Sequence, residues 1–271
     1  MKLKKVLQVA GVILGAVAIT ALGIDAADSL DGRGGSLLSQ LGGSQTKSEC
    51  PSGMTPVNGG TIRCIDMYEN SPSSDCVKSE PENALDTKIN LDGKTCVPES
   101  SSGKKPWRFI TRDQAVLACA KVGKRLPNNA EWYLGALGTP DIKNVTTCNI
   151  STGAVRDSRD TECVSSAHAY DMVGNIWEWV RDDVIDGVYN GRKVPDTGFI
   201  TQIDENGVPV ASGLSEDVLF NSDYFWSNME GAYGMMRGGF YGSKSDAGVY
   251  TTHAYTLPTT AGAAIGFRCV Q

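Results

Sequence analysis

Residues 170–179 of the chain read Tyr-Asp-Met-Val-Gly-Asn-Ile-Trp-Glu-Trp. Short apolar runs here and further on are interrupted by Gly, Asn and Asp, which favours strands and long loops over a long helix. We expect Trp177 and Trp179 to lie in the core rather than to form a platform for a ligand. Asp171 and Glu178 add two carboxylates to the same stretch.

The composition restricts the class of protein. The chain has 271 residues, which is enough for one large or two small domains. Its residues are 41% hydrophobic and 21% charged, and this composition excludes a disordered tail and a multi-span membrane protein. A net charge of −6 without a basic stripe argues against nucleic-acid binding. His168 and His253 are the only histidines, so a three-histidine metal site cannot form within one chain.

The N-terminal part differs from the rest in composition. Met1–Lys5 carries three Lys, and residues 6–24 carry no charge. This layout predicts a signal peptide or an N-terminal membrane anchor over residues 1–25, and both alternatives stay open. Residues 26–49 are rich in Gly and Ser and are predicted to form a flexible linker. The folded, exported domain is predicted over residues 50–271.

The chain contains eight cysteines, an even number that predicts disulfides in an exported protein. The order along the chain suggests the pairs Cys50–Cys64, Cys76–Cys96 and Cys148–Cys163. Cys119 and Cys269 are left over and would close a loop that spans most of the domain. The alternative is that some of the cysteines are free buried thiols.

Two helices and a hairpin can be predicted locally. Thr111 followed by Gln114, and Asn128 followed by Glu131, are capping-box patterns that begin helices ending near Gly123 and Gly138. Asn58-Gly59-Gly60 predicts a hairpin between residues 54–57 and 61–65. Residues 70–103 are predicted to be loop-like, and residues 266–270 are predicted to form a closing strand.

Four ordered motifs resemble one known family. Gly-Lys-Arg-Leu-Pro at 123–127 with Glu131-Trp132, the stretch at 170–179, Arg-Gly-Gly at 237–239 and Gly-Phe-Arg-Cys at 266–269 are similar to motifs of the formylglycine-generating (sulfatase-modifying) enzyme family. The resemblance implies an α+β, C-type lectin-like fold of that enzyme's type, stapled by disulfides and rich in loops. It also implies that Cys119 pairs with Cys269. By the same comparison, Lys124 and Arg125 are expected to be structural rather than an anion site, and Arg237 and Arg268 are expected to be buried and paired.

The catalytic residues of that family are not matched. Its oxygen-dependent enzyme uses two cysteines shortly after Arg-Gly-Gly, whereas residues 240–246 here contain no Cys. A copper(I) site and a thiol nucleophile both need thiolates. We therefore expect no catalytic residues, no redox cofactor and no enzyme activity. The alternative is a formylglycine-type oxidoreductase whose chemistry has moved elsewhere.

The segment 237–268 resembles the variable region of proteins that diversity-generating retroelements rewrite. Their retroelement substitutes adenines in AAY codons, and between Phe240 and Ala264 only Lys244 falls outside the residues reachable in that way. The resemblance implies a fixed frame of Ser245, residues 247–249, Pro258 and residues 265–268. The predicted variable, ligand-binding positions are Phe240, Tyr241, Gly242, Ser243, Asp246, His253, Tyr255, Thr256, Thr260, Gly262 and Ala264.

Calcium is a further expectation from the resemblance. Asp171, Gly174, Ile176 and Glu178 match positions where the family can hold structural Ca²⁺ through two carboxylates and two carbonyls. The alternative is a salt-bridged turn without metal. A weaker second set consists of Asn149, Ile150 and Asp160.

These observations predict an exported, non-catalytic binding protein with a hypervariable surface, located outside the cytoplasm and either secreted or anchored at the cell surface. Its expected partner is an unidentified protein or cell-surface ligand, with no nucleic acid, and with membrane contact only through an uncleaved N-terminal segment. An invariant lectin-like adhesin is the second alternative.

Overall fold

Short strands and short helices alternate along the chain in the computed structural model, which describes residues 50–141, 147–159 and 162–271. The predicted signal or anchor (1–25), the linker (26–49) and Asp160 lie outside these residues. None of the helices in the described part is long and apolar enough to cross a membrane. The strands are β1 Met54–Pro56, β2 Cys64–Asp66, β3 Asn70–Pro72, β4 Pro98–Ser100, β5 Trp177–Ile185, β6 Val188–Tyr189, β7 Arg192–Lys193, β8 Gly198–Ile203, β9 Pro209–Gly213, β10 Tyr224–Ser227, β11 Ala232–Arg237, β12 Thr252–Thr256 and β13 Ile265–Gly266.

The two predicted helices are confirmed, together with their caps. Helix α2 (Arg112–Lys121) begins after Thr111, whose side chain and that of Gln114 form the reciprocal capping box. Helix α3 (Asn129–Ala136) begins after Asn128 and Glu131 in the same way. Each box satisfies amide groups that a helix start would otherwise leave without partners.

The prediction of a loop over residues 70–103 is wrong in part. This segment contains β3, β4 and helix α1 (Ala84–Asp92), which Asn83 caps by accepting hydrogen bonds from the amides of Leu85 and Asp86. The buried side of α1 carries Thr87 and Asn90, while Leu85 is 64% exposed. An apolar stripe of helical period is therefore missing from the sequence, and the helix could not be recognised from it.

A nine-stranded sheet dominates the described part of the chain, in the order β7-β6-β5-β11-β12-β10-β8-β9 with β13 beside β5. Most pairs are antiparallel, but β10 runs parallel to β12 and β13 runs parallel to β5. The predicted hairpin is present as the antiparallel pair β1 and β2. The predicted closing strand is shorter than expected, because only Ile265–Gly266 pair as a strand and Val270 forms isolated bridges.

The core lies on both faces of this sheet. Alternation along β10, β11 and β12 sends Phe225, Met235 and Ala254 into one apolar cluster with Trp132. The opposite cluster contains Met236, Trp177 and Trp179 and is covered by residues of α1 and α2. Trp226, which follows Phe225 in β10, packs against this second cluster and is partly buried.

All eight cysteines form disulfides: Cys50–Cys64, Cys76–Cys96, Cys148–Cys163 and Cys119–Cys269. These are the four predicted pairs, and Cys119–Cys269 joins α2 to the C-terminal segment. Disulfides form and persist in oxidising compartments, so the protein belongs to an extracytoplasmic environment. The expected α+β, disulfide-stapled and loop-rich architecture is thus confirmed.

Candidate functional site

The predicted variable positions and the predicted frame differ in burial. In the frame, Ala247, Val249, Ile265, Phe267 and Arg268 are buried, at 8% exposure or less, and Ser245 and Pro258 are half-buried. In contrast, every predicted variable position is half-buried or exposed, and the exposed fraction of Tyr255 reaches 55%. We term this set the variable face: Phe240, Tyr241, Gly242, Ser243, Asp246, His253, Tyr255, Thr256, Thr260, Gly262 and Ala264.

Two carboxylates that lie outside segment 237–268 hold its frame. Asp223 accepts hydrogen bonds from the amides of Tyr250 (2.7 Å) and Thr251 (3.1 Å), and Asp141 accepts one from the amide of Val249 (2.6 Å). A Cβ at Gly248 would overlap the Asp223 carboxylate, so only glycine fits there. Sequence reasoning missed both acids, because only the folded chain brings them beside the frame.

Burial changes the pKa of both acids. Burial, followed by the repulsion of Asp141, raises the pKa of Asp223 well above its usual range. Burial raises the pKa of Asp141 to about 6, although the amide of Val249 opposes this shift. Burial therefore shifts the titration of both carboxyl groups beside the frame to higher pH.

Arg237 is fully buried beneath the same frame. Its guanidinium donates to Asn129 Oδ1 (2.6 Å), to Thr252 Oγ1 (2.7 Å) and to the carbonyl of Val249 (2.8 Å), and it lies over the ring of Trp132. Burial lowers its pKa to about 10, opposed by the charge of Asp223. Arg237 is therefore buried as expected, but its hydrogen-bond acceptors in the described residues are neutral groups rather than a paired carboxylate.

Main-chain contacts fix most of the backbone of the variable face. The amide of Tyr241 donates to the carbonyl of Asn175 (3.1 Å), and the carbonyls of Gly262 and Ala264 accept from the amides of Phe109 (3.0 Å) and Trp177 (2.8 Å). Side chains contribute at two positions, where Ser243 Oγ accepts from the amide of Phe240 and His253 Nδ1 accepts from that of Tyr255. Most side chains of the face can therefore change without the loss of a backbone contact.

Part of the variable face lines a pocket of about 280 Å³. Strands β10 and β12 place Trp226 directly beside His253, and the start of β5 places Trp177 next to both. The pocket is lined by Trp177, Trp226, Phe240, Gly242, Ser243, Asp246 and His253. Tyr241, Tyr255, Thr256, Thr260, Gly262 and Ala264 lie outside this lining, and Tyr255 stacks on Tyr233 at 6.0 Å instead.

The expectation that Trp177 and Trp179 are core residues is confirmed for both, and Trp177 also lines the pocket. Trp179 is fully buried and donates to the carbonyl of Ile110. Trp177 is 7% exposed and contributes one wall of the pocket. Sequence reasoning also missed Trp226, whose position depends on the parallel pairing of β10 with β12. The aromatic run Tyr224–Trp226 was the available signal.

The titratable groups of the pocket respond to burial. Burial lowers the pKa of His253 to about 4, so its imidazole is neutral at pH 7. Burial and then the charge of Glu216 raise the pKa of Asp246, while Lys244 lowers it. At neutral pH the pocket thus contains a neutral imidazole beside a carboxyl group.

The structure offers no thiol for the chemistry of the resembled enzymes. All eight cysteines are disulfide-bonded, and Cys269, the cysteine nearest in sequence after Arg237-Gly238-Gly239, is bonded to Cys119. A disulfide sulfur is neither a thiolate nucleophile nor a copper(I) ligand of the thiolate type.

The residues expected to hold calcium are engaged elsewhere. Glu178 Oε1 and Oε2 accept from the guanidinium of Arg268, and Oε2 also accepts from the indole of Trp132. Asp171 Oδ2 accepts from the amide of Arg159. In the described residues no group of three or more Asp, Glu, His or Cys side chains is placed to hold a metal ion. Calcium at Asp171, Gly174, Ile176 and Glu178 stays a prediction, and the pairing of Glu178 disfavours it.

The second calcium set is incomplete in the described residues, because Asp160 lies outside them. Its member Asn149 donates to the carbonyl of Ala154 and to Asn175 Oδ1. Ile150 accepts from the amide of Lys244 through its carbonyl. Both residues therefore take part in the contacts that hold the loops together.

A buried carboxylate that the sequence did not reveal lies near Asp171 and Glu178. Glu69 accepts from Asn175 Nδ2 at 2.6 Å, while its Oε1 is buried without a hydrogen-bond partner. Burial first, and then the charges of Asp171 and Glu178, raise its pKa well above the usual range. Protonation of Glu69 lowers the electrostatic cost of burying three carboxyl groups around Arg268.

The other cationic residues of the motifs are structural, as expected. Lys124 pairs with the buried Asp66 at 2.6 Å. Arg125 forms two hydrogen bonds of 2.7 Å to Glu131, which in turn caps α3.

Comparisons with known proteins identify the family and several similar structures. A search of curated proteins returns no match. Among solved structures, the Major Tropism Determinant P3c variant is 17% identical with a TM-score of 0.44, over 82% of this chain and 52% of that one. Treponema denticola variable protein 1 is 14% identical with a TM-score of 0.45, over 82% and 91%. PvdO from Pseudomonas aeruginosa is 17% identical with a TM-score of 0.42, over 82% and 87%.

The chain therefore spans about half the length of the Major Tropism Determinant chain that it matches, at 52%. The family comparison matches residues 74–271 to the sulfatase-modifying factor enzyme 1-like domain. The chain belongs to the sulfatase-modifying factor enzyme 1-like family, with the C-type lectin-like fold that its motifs predicted.

Proposed function

We propose that this protein binds a ligand through the variable face and that a retroelement diversifies the residues of this face. The proposal includes export, with residues 1–25 acting as a signal peptide or as an anchor at the cell surface. The ligand is a protein or another molecule of a cell surface.

The observation that carries the proposal is the difference in burial within segment 237–268. Most frame residues are buried, and the segment is held by Asp141, Asp223 and Arg237, whereas every residue of the variable face is half-buried or exposed. A binding surface that changes its sequence needs a carrier whose stability does not depend on the changing side chains.

The composition of the variable face also suits recognition. Tyr241 and Tyr255 are rigid amphipathic side chains with few rotatable bonds, and the small residues Gly242, Ser243 and Thr256 follow them closely along the chain. Antibody paratopes combine the same two kinds of residue, because aromatic anchors bury area at low entropic cost while small polar residues adapt.

The alternative of an oxidoreductase has less support. The chemistry of the resembled oxygen-dependent enzyme needs thiolates, and each cysteine of this chain is bonded to another. We therefore propose a binding role without catalysis.

The gene provides the direct test of diversification. We expect codons that end in a pyrimidine at the variable face, and an adenine-rich near-copy of segment 237–268 close to a reverse-transcriptase gene. Sequencing of descendant clones should show substitutions at these positions and none in the frame. Codons ending in a purine at several of the positions, or an unchanged segment among clones that express the reverse transcriptase, would contradict the proposal.

A further inference from the structure

The pocket beneath the variable face is lined by aromatic rings on several sides. Trp177 lies 5.6 Å from Trp226 in an edge-to-face arrangement, 6.5 Å from Phe240 and 5.4 Å from His253, measured between ring centroids. Trp226 and His253 stack at 5.7 Å. The faces of aromatic rings carry negative electrostatic potential, and tryptophan does so most strongly.

Among the residues that line this pocket, the charged one is an acid. Asp246 lines the pocket, and Glu216 is near enough to raise the pKa of Asp246. Lys244 is exposed and is not part of the lining, although its charge lowers the pKa of Asp246. His253 carries no charge at neutral pH and does not repel a cation.

We propose that this pocket binds an alkylammonium group, such as the side chain of a lysine on a protein partner. This assignment rests on the proposed ligand-binding role of the variable face and specifies the chemistry of the ligand. A cation seated among the aromatic rings of the lining, beside the carboxyl group of Asp246, gains both cation–π attraction and ion pairing. The cavity of about 280 Å³ is large enough for an aliphatic chain with its ammonium group.

The lining of the pocket combines residues from outside segment 237–268 with residues of the variable face. Trp177 and Trp226 lie outside segment 237–268, whereas Phe240, Asp246 and His253 belong to the variable face. The two tryptophans therefore form an aromatic floor that every variant of the face keeps. The residues around the floor then set which cationic side chain, and which neighbouring groups of the partner, are accepted.

The test is a titration of the full chain with Nα-acetyl-lysine amide, whose side-chain ammonium group is free. Binding is monitored by NMR of the tryptophan indole N–H groups. N-acetyl-norleucine amide, which has a similar shape and no charge, is the matched ligand control. We expect saturable shifts at Trp177 and Trp226, with binding of the lysine derivative about tenfold tighter than that of the norleucine derivative. Asp246→Asn should weaken binding about twofold to fivefold, and the exposed control Glu230→Gln should leave it unchanged.

Two replacements of Trp226 distinguish a loss of cation binding from a general loss of folding. Trp226→Phe keeps a ring and should retain weakened binding, whereas Trp226→Leu should abolish it while the other indole signals keep their positions. Equal binding of both amides, an unchanged affinity in Asp246→Asn, or tighter binding of a neutral methyl glycoside would overturn the assignment. Such a result would leave the codon test of diversification unaffected, so the two proposals can fail separately.

Discussion

Arg268 and Glu178 form a fully buried ion pair at the centre of the domain. Arg268 Nε lies 2.7 Å from Glu178 Oε2 and Nη2 lies 2.6 Å from Oε1, and the side chains are 0% and 1% exposed. The remaining guanidinium donors bind the carbonyls of Asp66 and Tyr170. The pair thus connects the C-terminal segment to the N-terminal hairpin and to the start of β5.

Removal of one partner of this pair should strongly destabilise the fold. Glu178→Gln removes the carboxylate that is hydrogen-bonded to the buried guanidinium of Arg268, and we expect the free energy of unfolding to fall by about 3–5 kcal/mol in urea titrations. The control Asp92→Asn breaks the exposed pair of Lys88 and Asp92 on α1 and should cost less than about 0.5 kcal/mol. Losses of equal size in both variants would contradict a structural role for the buried pair.

Gly248 should tolerate no side chain. In Gly248→Ala the new Cβ overlaps the carboxylate of Asp223, which cannot move without losing its bonds to the amides of Tyr250 and Thr251. We expect a loss of roughly 1–3 kcal/mol from overpacking, measured by thermal unfolding. Gly213→Ala, whose Cβ meets only Thr201 Cγ2 at 3.4 Å, is the matched control and should be nearly neutral. A stable Gly248→Ala variant would show that this contact does not constrain the frame.

The features that were predicted correctly from the sequence depend either on residues that are close along the chain or on the pairing of cysteines. Capping boxes at Thr111 and Asn128 are local, and the disulfides follow from the order of the cysteines and from the family resemblance. Helix α1 escaped prediction because its buried side is partly polar. The pocket escaped it because the contact of Trp226 with Trp177 requires β10, β12 and β5 to come together.

The acids beneath the frame should make stability depend on pH. The pKa of Asp141 is raised to about 6 in the folded protein, above its value of roughly 3.9 in the unfolded chain. The folded state therefore binds the proton more tightly, and this stabilisation is complete below about pH 4 and is lost as the pH rises through about 6.

Asp141→Asn keeps an acceptor for the amide of Val249 and removes the titration. As the pH rises from about 4 to about 6, we expect the melting temperature of the wild type to fall relative to that of the variant. Asp75→Asn, at an exposed position, should follow the wild type. Parallel pH profiles of the wild type and Asp141→Asn would show that this carboxyl group does not titrate as described.

The disulfides should differ in their contribution to stability. Cys119 and Cys269 are separated by 150 positions and Cys148 and Cys163 by 15. In the chain-entropy model the longer loop contributes roughly 4–5 kcal/mol and the shorter about 3 kcal/mol. Replacing both cysteines of each pair by Ala should therefore cost more for Cys119–Cys269 in denaturant unfolding. The reverse order would show that contacts other than the crosslink hold the C-terminal segment in place.

The central claim is that the variable face carries little of the stability of the domain. It is tested most directly by replacing all residues of this face with Asn and measuring the free energy of unfolding beside that of the single frame variant Phe267→Ala. Truncation of the fully buried Phe267 should cost about 3–5 kcal/mol. Surface substitutions usually change the free energy of unfolding by less than about 0.5 kcal/mol in either direction, so gains and losses over the face largely offset one another. The account therefore predicts a smaller total loss for the whole face than for Phe267→Ala. A larger loss for the substituted face, or its failure to fold, would contradict the account.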